Sequence, residues 1–404
     1  MMKPSSLRSP LMVLVCGCLI LCIGFGIRAG FGLFLQPMSL ENGWGRQTFS
    51  IAMAVQNLLW GAFGPFAGGI ADRYGNGRVV AVCGAAYVLG LVAMAFSETP
   101  LALHLGSGFL IGLALSGCTF ATVLAVIARV TPPEKRSFAM GIATAAGSFG
   151  QFALLPVTQF LITRFDWHVA LLAMAGIAAL IIPLAAPLAG KPAVTSGAQQ
   201  PIGSALREAL GEKGFHLLFW GFFVCGFHIA MLTVHLPSFV TDAGLKPEQG
   251  MTALALIGLF NIVGTLGAGW LGGRISKKYL LSSIYAIRAG LIAMLVLLPL
   301  SPVTLYVFAC GIGLLWLGTV PLTNGLVGQI FGMQYAATLS AIVFFGHQIG
   351  SFIGVWLAGY LYDTTGSYSG AFLASIALGV FAAIVNLPVN ETPLVLRKAV
   401  AAPA

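Results

Sequence analysis

Long apolar stretches, each of about twenty residues or more, follow one another along almost the whole chain. Twenty apolar residues in a helix are enough to cross the hydrocarbon core of a bilayer, which is roughly 30 Å thick. The runs are continuous, whereas a membrane β-barrel alternates apolar and polar residues over segments of about ten. The sequence therefore predicts an all-α integral membrane protein with twelve transmembrane helices, near residues 11–37, 48–70, 78–96, 101–128, 138–163, 167–189, 215–240, 251–273, 279–299, 302–330, 337–361 and 369–388.

The composition excludes other classes of protein. Of the 404 residues 58% are hydrophobic and 8% are charged, whereas about a quarter of the residues in a soluble domain are charged. The seven cysteines lie within apolar stretches and show neither a disulfide framework nor a zinc spacing. The formal charge of +9 is spread thinly between apolar runs, which is not the clustered pattern of a nucleic-acid-binding face. We therefore expect no metal, no cofactor and no nucleic-acid partner.

The distribution of lysine and arginine predicts the orientation. With both termini in the cytoplasm, fifteen basic residues fall on the inner side and three, namely Arg46, Arg164 and Lys246, on the outer side. Such an excess in the cytoplasmic loops is the positive-inside pattern. We therefore expect a multi-pass protein of the cytoplasmic (inner) membrane, embedded in the lipid bilayer, with both termini in the cytoplasm.

The chain divides into two halves of six predicted helices. We assign an N-terminal bundle, a cytoplasmic linker and a C-terminal bundle to residues 1–189, 190–214 and 215–404. The end of the linker, 204–210, fits either a short amphipathic helix on the membrane surface or a plain connection. The run Ala67–Arg73 recurs in related form 201 residues later, at Ala268–Arg274. Two related bundles around a midplane site are the architecture of a transporter that works by rocking one bundle against the other.

A short motif after the second predicted helix is the first family signature. It consists of Gly68, Asp72, Arg73, Gly75, Gly77 and Arg78. It resembles the loop between helices two and three of the major facilitator superfamily, with Gly77 where a basic residue is common. Gly68 would let helices approach closely, and Asp72 and Arg73 could form an ion pair that holds one conformation. We assign these residues, with Arg78 and with Arg274 of the second copy, to a conformational gate; the alternative is a solvated turn.

A narrower resemblance covers the fifth predicted helix. Residues 134–150 contain the basic pair Lys135-Arg136, then Ala139-Met140-Gly141 and the segment Ala146–Gly150. They resemble the signature of the monocarboxylate transporter family, which includes oxalate:formate antiporters and lactate carriers. The resemblance implies a small organic anion as substrate, and Arg28 matches the first-helix lysine of the animal lactate carriers. The chain departs from those carriers at Asn261 and Thr265, where they hold an aspartate and an arginine.

Arg28 is the strongest candidate for substrate binding. An arginine at the centre of a membrane helix costs about 2.5–3.5 kcal/mol on insertion scales, and all eleven acidic residues lie in loops or at the ends of the predicted helices. Because no carboxylate of the chain is buried beside it, we expect an anion from outside, matched by the planar guanidinium. The alternative is a structural arginine bonded to helix carbonyls.

Other polar residues inside the predicted helices are weaker candidates for substrate contact. A titrating histidine could add a second positive charge and couple a proton to the anion; single amides could bind substrate or join helices. These candidates are Asn57, Gln151, His228, His235, Asn261, Asn324, His347 and Gln348. Arg288 lies at membrane depth about ten residues from Lys278. Arg288 fits either a substrate site or a structural or gate-supporting role, and we group it with the gate.

Together these features predict a secondary active transporter rather than an enzyme. It would move a small, monocarboxylate-like organic anion by alternating access, coupled to protons or by exchange, and function as a monomer. The alternative is an efflux transporter for amphipathic compounds, favoured if the 28 phenylalanines line its cavity.

Overall fold

A computed structural model describes residues 9–190, 202–332 and 336–395. Every regular element within these ranges is a helix. Eleven helical segments are long and apolar enough to cross a membrane, and Arg46–Tyr74 is a further helix of 29 residues. We number these segments spans 1 to 12 in chain order: Pro10–Asn42, Arg46–Tyr74, Asn76–Ala95, Pro100–Val130, Pro133–Arg164, Trp167–Leu188, Lys213–Asp242, Pro247–Gly272, Lys277–Leu297, Pro302–Phe331, Ala336–Thr365 and Ser369–Asn386.

Each predicted apolar stretch coincides with one span, and the predicted all-α membrane fold is confirmed. Span 2 is not among the eleven most apolar segments because the adjacent amides Gln56 and Asn57 interrupt its apolar sequence. Residues 191–201 of the predicted linker lie outside the described residues. The rest of the linker forms the short amphipathic helix Ile202–Gly211, the first of the two alternatives for this segment.

Four spans are interrupted within the membrane region. Span 1 changes helix at Gly30, span 4 breaks at Thr119, span 6 breaks at Leu180, and span 10 breaks between Leu315 and Thr319. A break leaves backbone groups without helical partners in a region without water, so neighbouring side chains must supply the missing bonds. The side chains that do so define much of the site below.

Small residues let the spans approach closely. A Cβ added to Gly350 of span 11 would lie 1.9 Å from the carbonyl oxygen of Phe223 in span 7, and one added to Gly354 would lie 2.6 Å from that of Phe227. Gly346 packs on the ring of Phe219 in the same way. This glycine stripe thus forms the packing surface between spans 7 and 11, as small residues do in membrane bundles.

Spans 1–6 and spans 7–12 build two hydrophobic cores. The two halves meet where span 2 packs on span 11, span 5 on span 8, and span 1 on span 7. We name the ends of the bundle after the first and last residues of span 2, the Arg46 end and the Tyr74 end.

Within the described residues, the halves are in close contact toward the Arg46 end. There the hydrogen bonds between halves run from Arg46 to the level of the bond between Asn261 and Ser148. Gly61 of span 2 still packs on span 11, whereas nothing lies within 4 Å of a Cβ at Gly64 or Gly68, which share its helix face nearer the Tyr74 end. The bundle is therefore closed at the Arg46 end and opens toward the Tyr74 end.

The glycine stripe predicts a position-dependent loss of stability. Replacing Gly350 with leucine inserts a side chain where no space exists, and overpacking typically costs about 1–3 kcal/mol. We expect Gly350→Leu to lower the thermal unfolding midpoint of the purified protein in detergent. Gly176→Leu is the control, because nothing lies within 4 Å of a Cβ at Gly176. Equal midpoints for both variants would contradict the packing described.

Candidate functional site

Arg28 lies in span 1, two residues before the change of helix at Gly30. Its Nη2 donates a hydrogen bond to Oδ1 of Asn57 in span 2, whose Nδ2 donates to the carbonyl of Met53 at 2.8 Å. Its Cζ lies 4.8 Å from the centroid of the Trp60 ring. Nε is buried without a hydrogen-bond partner. Two of the predicted substrate residues, Arg28 and Asn57, are thus in direct contact.

The Trp60 ring under this guanidinium belongs to a cluster of aromatic rings from four spans. Phe25 stacks on Phe120 with ring centroids 4.3 Å apart and meets the edge of Trp60 at 6.0 Å. Phe344, from the other half, meets Trp60 at 5.7 Å. Trp60 is oriented by a hydrogen bond from Nε1 to Oγ1 of Thr119 at the break of span 4, 3.1 Å long. We call this group the Arg28 cage: Phe25, Arg28, Asn57, Trp60, Phe120 and Phe344.

The sequence analysis did not identify the four rings as site residues. A signal was nevertheless present, because Phe25 precedes Arg28 by three positions and Trp60 follows Asn57 by three. Residues three apart share one face of a helix. Each of the two polar residues thus marks the helix face on which an aromatic ring also lies.

His347 and Gln348 lie beside the cage in span 11. The His347 ring stacks on Phe344 with centroids 5.5 Å apart and lies 4.9 Å from Phe222. Its Nδ1 is 3.0 Å from Oε1 of Gln348. The Gln348 side chain packs on Gly61, and its Nε2 is buried without a partner. These two predicted residues therefore contribute to the same region from the opposite half.

The remaining candidate amides lie elsewhere. Gln151 donates to the carbonyl of Leu254 at 3.2 Å and packs on Gly258, which joins span 5 to span 8. Asn261 donates to Ser148 at 2.9 Å and accepts from the backbone of Leu317 in the broken part of span 10. These contacts fit the interhelical alternative weighed in the sequence analysis. Asn324 is exposed on span 10.

The two histidines of span 7 are buried away from Arg28. His228 Nε2 lies 2.8 Å from the carbonyl oxygen of Ser375 in span 12, and its Nδ1 has no partner. His235 Nδ1 lies 3.1 Å from the hydroxyl of Tyr368, and its Nε2 lies 3.0 Å from the carbonyl of Val355. His235 therefore belongs to the Arg46 end, described below, rather than to the Arg28 cage.

Arg288 is buried beside the break of span 10. Its Nη2 donates to the carbonyls of Leu315 and Trp316, which the break leaves without helical partners, and its Nη1 lies 3.5 Å from the Cys225 sulfur. A guanidinium at the C-terminal carbonyls of a helix also complements the helix dipole. The structure therefore places Arg288 in a structural position, one of the two roles weighed for it.

The predicted gate motif lies at the open Tyr74 end. Nothing lies within 4 Å of a Cβ at Gly68, and Arg73, Arg78 and Arg274 are exposed. Arg274 stacks over the Trp270 ring, with its Cζ 3.6 Å from the centroid. The side chain of Asp72 lies outside the described residues. The proposed Asp72–Arg73 ion pair therefore stays a prediction.

The glycine that departs from the superfamily motif has a packing reason. A Cβ added to Gly77 would lie 2.7 Å from the carbonyl oxygen of Ala185 and 2.7 Å from the nitrogen of Ala189. The backbone at the end of span 6 occupies the space that a side chain would need. A basic residue at this position would displace that segment.

A latch that the sequence analysis did not identify closes the Arg46 end. Arg46 forms a bidentate pair with Asp242 of the other half, at 2.5 and 2.7 Å, and donates to the Tyr368 hydroxyl at 2.8 Å. Its Cζ lies 3.7 Å from the centroid of the Tyr362 ring. Such bidentate, charge-assisted pairs are stronger than neutral hydrogen bonds. The sequence signal was that Arg46 is one of only three basic residues on the predicted outer side.

Asp363 completes this latch through the backbone. Its two carboxylate oxygens accept hydrogen bonds from the backbone nitrogens of Arg46 and Gln47 at 2.9 and 2.8 Å. These nitrogens belong to the first turn of span 2, where a carboxylate is favoured by the helix dipole. An acid of span 11 thus caps a helix of the opposite half. We call Arg46, Asp242, Asp363 and Tyr368 the Arg46 latch.

Breaking the latch is expected to raise backbone exchange at the start of span 2. The side chains of Arg46 and Asp242 are 11% and 25% exposed, so the loss is smaller than the 3–5 kcal/mol of a fully buried pair. We expect Asp242→Asn to speed hydrogen–deuterium exchange of residues 46–50 by about tenfold, equivalent to about 1.4 kcal/mol.

The control for this experiment is Asp166→Asn. Asp166 also caps a helix, accepting from the Val169 nitrogen at 2.7 Å, but within one half. This variant should raise exchange only near residues 167–170. Unchanged exchange at residues 46–50 in Asp242→Asn would show that the pair does not hold the halves together.

Comparison with known proteins supports the membrane carrier architecture. The sequence model described as Major Facilitator Superfamily matches residues 16–355. The chain is similar to Monocarboxylate transporter 13 of Bos taurus, 26% identical over 367 residues that cover 87% of this chain and 82% of that protein. It is also similar to the MFS-type transporter YcxA of Bacillus subtilis, 24% identical over 84% of this chain and 85% of that protein.

A solved structure shares the fold. It is a bacterial homologue of the human lysosomal transporter Spinster in an inward-facing and occupied conformation. It matches with a TM-score of 0.75 and 16% identity, covering 95% of this chain and 97% of that chain.

Proposed function

Because the chain belongs to the Major Facilitator Superfamily, we propose that it carries a small monocarboxylate-like anion across the membrane by alternating access, with Arg28 binding the carboxylate. Membership confirms the superfamily that the loop motif predicted, and it means that the chain is a transporter rather than an enzyme. The substrate, the coupling and the orientation are our proposals.

The environment of Arg28 supports this proposal more than any other observation. Ion pairs among the described residues involve Arg46 and His168, and none involves Arg28. The guanidinium instead contacts the neutral amide of Asn57 and the face of Trp60, and its Nε lacks a partner. A half-buried cation inside the membrane in such surroundings is poorly compensated. A substrate carboxylate would supply the missing charge and accept the free N–H.

The closed and open ends of the bundle support alternating access. The Arg46 latch joins the halves at one end, while the face of span 2 that carries Gly64 and Gly68 has no neighbour within 4 Å toward the other end. We assign the Tyr74 end to the cytoplasm of the inner membrane because the predicted positive-inside pattern places most basic residues there. On this assignment the structure is inward-open, and the motif around Arg73 would close that end in the outward-open state. The single chain contains both halves of the cage, so a monomer suffices.

The proposal has one alternative within transport. The four rings of the Arg28 cage would also suit amphipathic compounds, as the efflux hypothesis requires. An exporter of neutral or cationic amphiphiles has no use for an uncompensated arginine in its binding site. The role of Arg28 therefore discriminates between the two functions.

Counterflow in proteoliposomes tests the role of Arg28. With radiolabelled pyruvate, lactate and phenylacetate, we expect Arg28→Gln to abolish counterflow of the transported acid. Arg28→Lys should retain part of it, because the charge remains while the planar pair of donors is lost. Arg164→Gln, which alters an exposed arginine at the end of span 5, is the control. Full activity of Arg28→Gln would overturn the proposal, and an efflux screen with amphiphiles would then follow.

His347 is our candidate for proton coupling. All eleven acids lie in loops or at the ends of the predicted helices, so a histidine is the natural group to titrate within the membrane. We expect an acidic exterior to accelerate uptake by wild-type protein, and His347→Gln to reduce that acceleration by more than it reduces counterflow. His216→Gln, at the exposed start of span 7, is the control. An acceleration equal in His347→Gln and wild type would exclude His347, and no acceleration in wild type would indicate anion exchange.

A further inference from the structure

We propose that the substrate is a monocarboxylate with a flat aromatic body, and that Phe25, Trp60 and Phe344 select it against short hydroxy acids and against dicarboxylates. This inference rests on the proposed function, because it names the class of anion that Arg28 binds. It follows from the charge, the hydrogen-bond saturation and the ring geometry of the Arg28 cage.

The cage offers one positive charge. The other two buried arginines are already engaged, since Arg288 binds the carbonyls at the break of span 10 and Arg46 binds Asp242 in the latch. A second carboxylate on the substrate would therefore have no cation to meet. Burying an unpaired charge is strongly unfavourable, so the site excludes dicarboxylates.

The polar groups in contact with the guanidinium are already satisfied, and the Gln348 Nε2, which has no partner, lies beside His347 in span 11. Asn57 binds Arg28 and the Met53 carbonyl, and Trp60 Nε1 binds Thr119. The hydroxyl of Tyr87, behind span 1, donates to the carbonyl of Gly24 at 3.1 Å. A hydroxyl beside the substrate carboxylate would compete for groups that already have partners. A substrate hydroxyl that is buried without a hydrogen-bond partner weakens binding, so the site disfavours hydroxy acids.

The rings provide the complementary surface for an aromatic body. Aromatic faces often recruit cations, but here the protein's own Arg28 covers Trp60, so the charge that remains to be added is negative. A substrate whose carboxylate binds Arg28 would direct the rest of the molecule toward Phe25, Trp60 and Phe344. Phe25 and Phe344 each meet the Trp60 ring edge to face, with centroids 6.0 and 5.7 Å from its own. Aromatic ligands favour this geometry.

Phe344 extends the selection to the opposite half. It is the ring of the cage that belongs to spans 7–12, and it reaches Trp60 across the interface. A substrate ring packed against both of these side chains would contact both bundles at once. Phe344 is thus a specificity-determining residue, because it contacts an aromatic substrate but not a short acid of the same charge.

Competition between acids tests the inference. Transport of phenylacetate, pyruvate, lactate and malonate is measured in proteoliposomes containing wild type, Phe344→Ala, Phe25→Leu or Phe381→Ala. Phe381 is exposed on span 12 and serves as the control. We expect wild type to prefer phenylacetate over pyruvate and lactate and to leave malonate untransported. Phe344→Ala should lower the phenylacetate-to-pyruvate ratio of kcat/KM by about tenfold, the loss of one aromatic contact, and Phe25→Leu should shift it in the same direction.

Each other result has a distinct meaning. If wild type carries pyruvate, lactate or malonate as well as phenylacetate, or if Phe344→Ala and Phe25→Leu leave the ratio unchanged, the aromatic inference fails and the anion carrier stands. If no acid of the panel moves, both fail together. Correct folding of each variant is verified by its thermal unfolding midpoint beside wild type.

Discussion

Two guanidinium groups inside the membrane constrain how this bundle is built. Arg288 is stabilised by the chain itself, because the break of span 10 leaves the carbonyls of Leu315 and Trp316 free to accept its hydrogen bonds. Arg28 lies beside the change of helix at Gly30 but bonds to a single neutral amide and lies over one aromatic face. Both arginines keep a buried Nε without a hydrogen-bond partner, but Arg288 bonds to two carbonyls and a sulfur whereas Arg28 bonds to one amide. That difference is why we propose Arg28 as the residue that binds a ligand.

The internal repeat shows how the two halves diverged. Residues that are 201 positions apart in the two halves make similar contacts with different side chains. Trp60 of span 2 donates to Thr119 at the break of span 4, and its counterpart Asn261 of span 8 accepts from the backbone at the break of span 10. Tyr87 and Arg288 are likewise related by this offset and bond toward Gly24 and Cys225, which are also equivalent. The equivalent residues of the second half, Asn261 and Arg288, bond to the backbone at the break of span 10. Most residues of the Arg28 cage therefore come from the first half.

The Arg46 latch explains why the two ends of the bundle differ. Its bonds join spans 2, 7 and 11 through a charged pair, a cap and two aromatic rings. His235 extends this network through Tyr368. No comparable set of bonds links the halves at the Tyr74 end within the described residues. On the proposed mechanism, opening the Arg46 end would exchange these bonds for contacts at the other end, which is the energetic basis of a two-state carrier.

The sequence alone determined the twelve helices and the superfamily, because hydropathy and the loop motif are local properties that each stretch carries by itself. It also singled out Arg28, Asn57 and His347 as candidates, because each is a polar residue inside an apolar stretch. Only the tertiary structure decided which polar residues lie at the Arg28 cage. His228, Gln151 and Asn261 also lie inside apolar stretches, as Asn57 does, yet they bond to Ser375, Leu254 and Ser148. Their roles depend on how each helix is rotated against its neighbours, and glycine contacts between spans set that rotation. The Arg46 latch was hidden for the same reason, since its arginine and its aspartates are 196 and 317 residues apart in the chain and meet only when the two halves close.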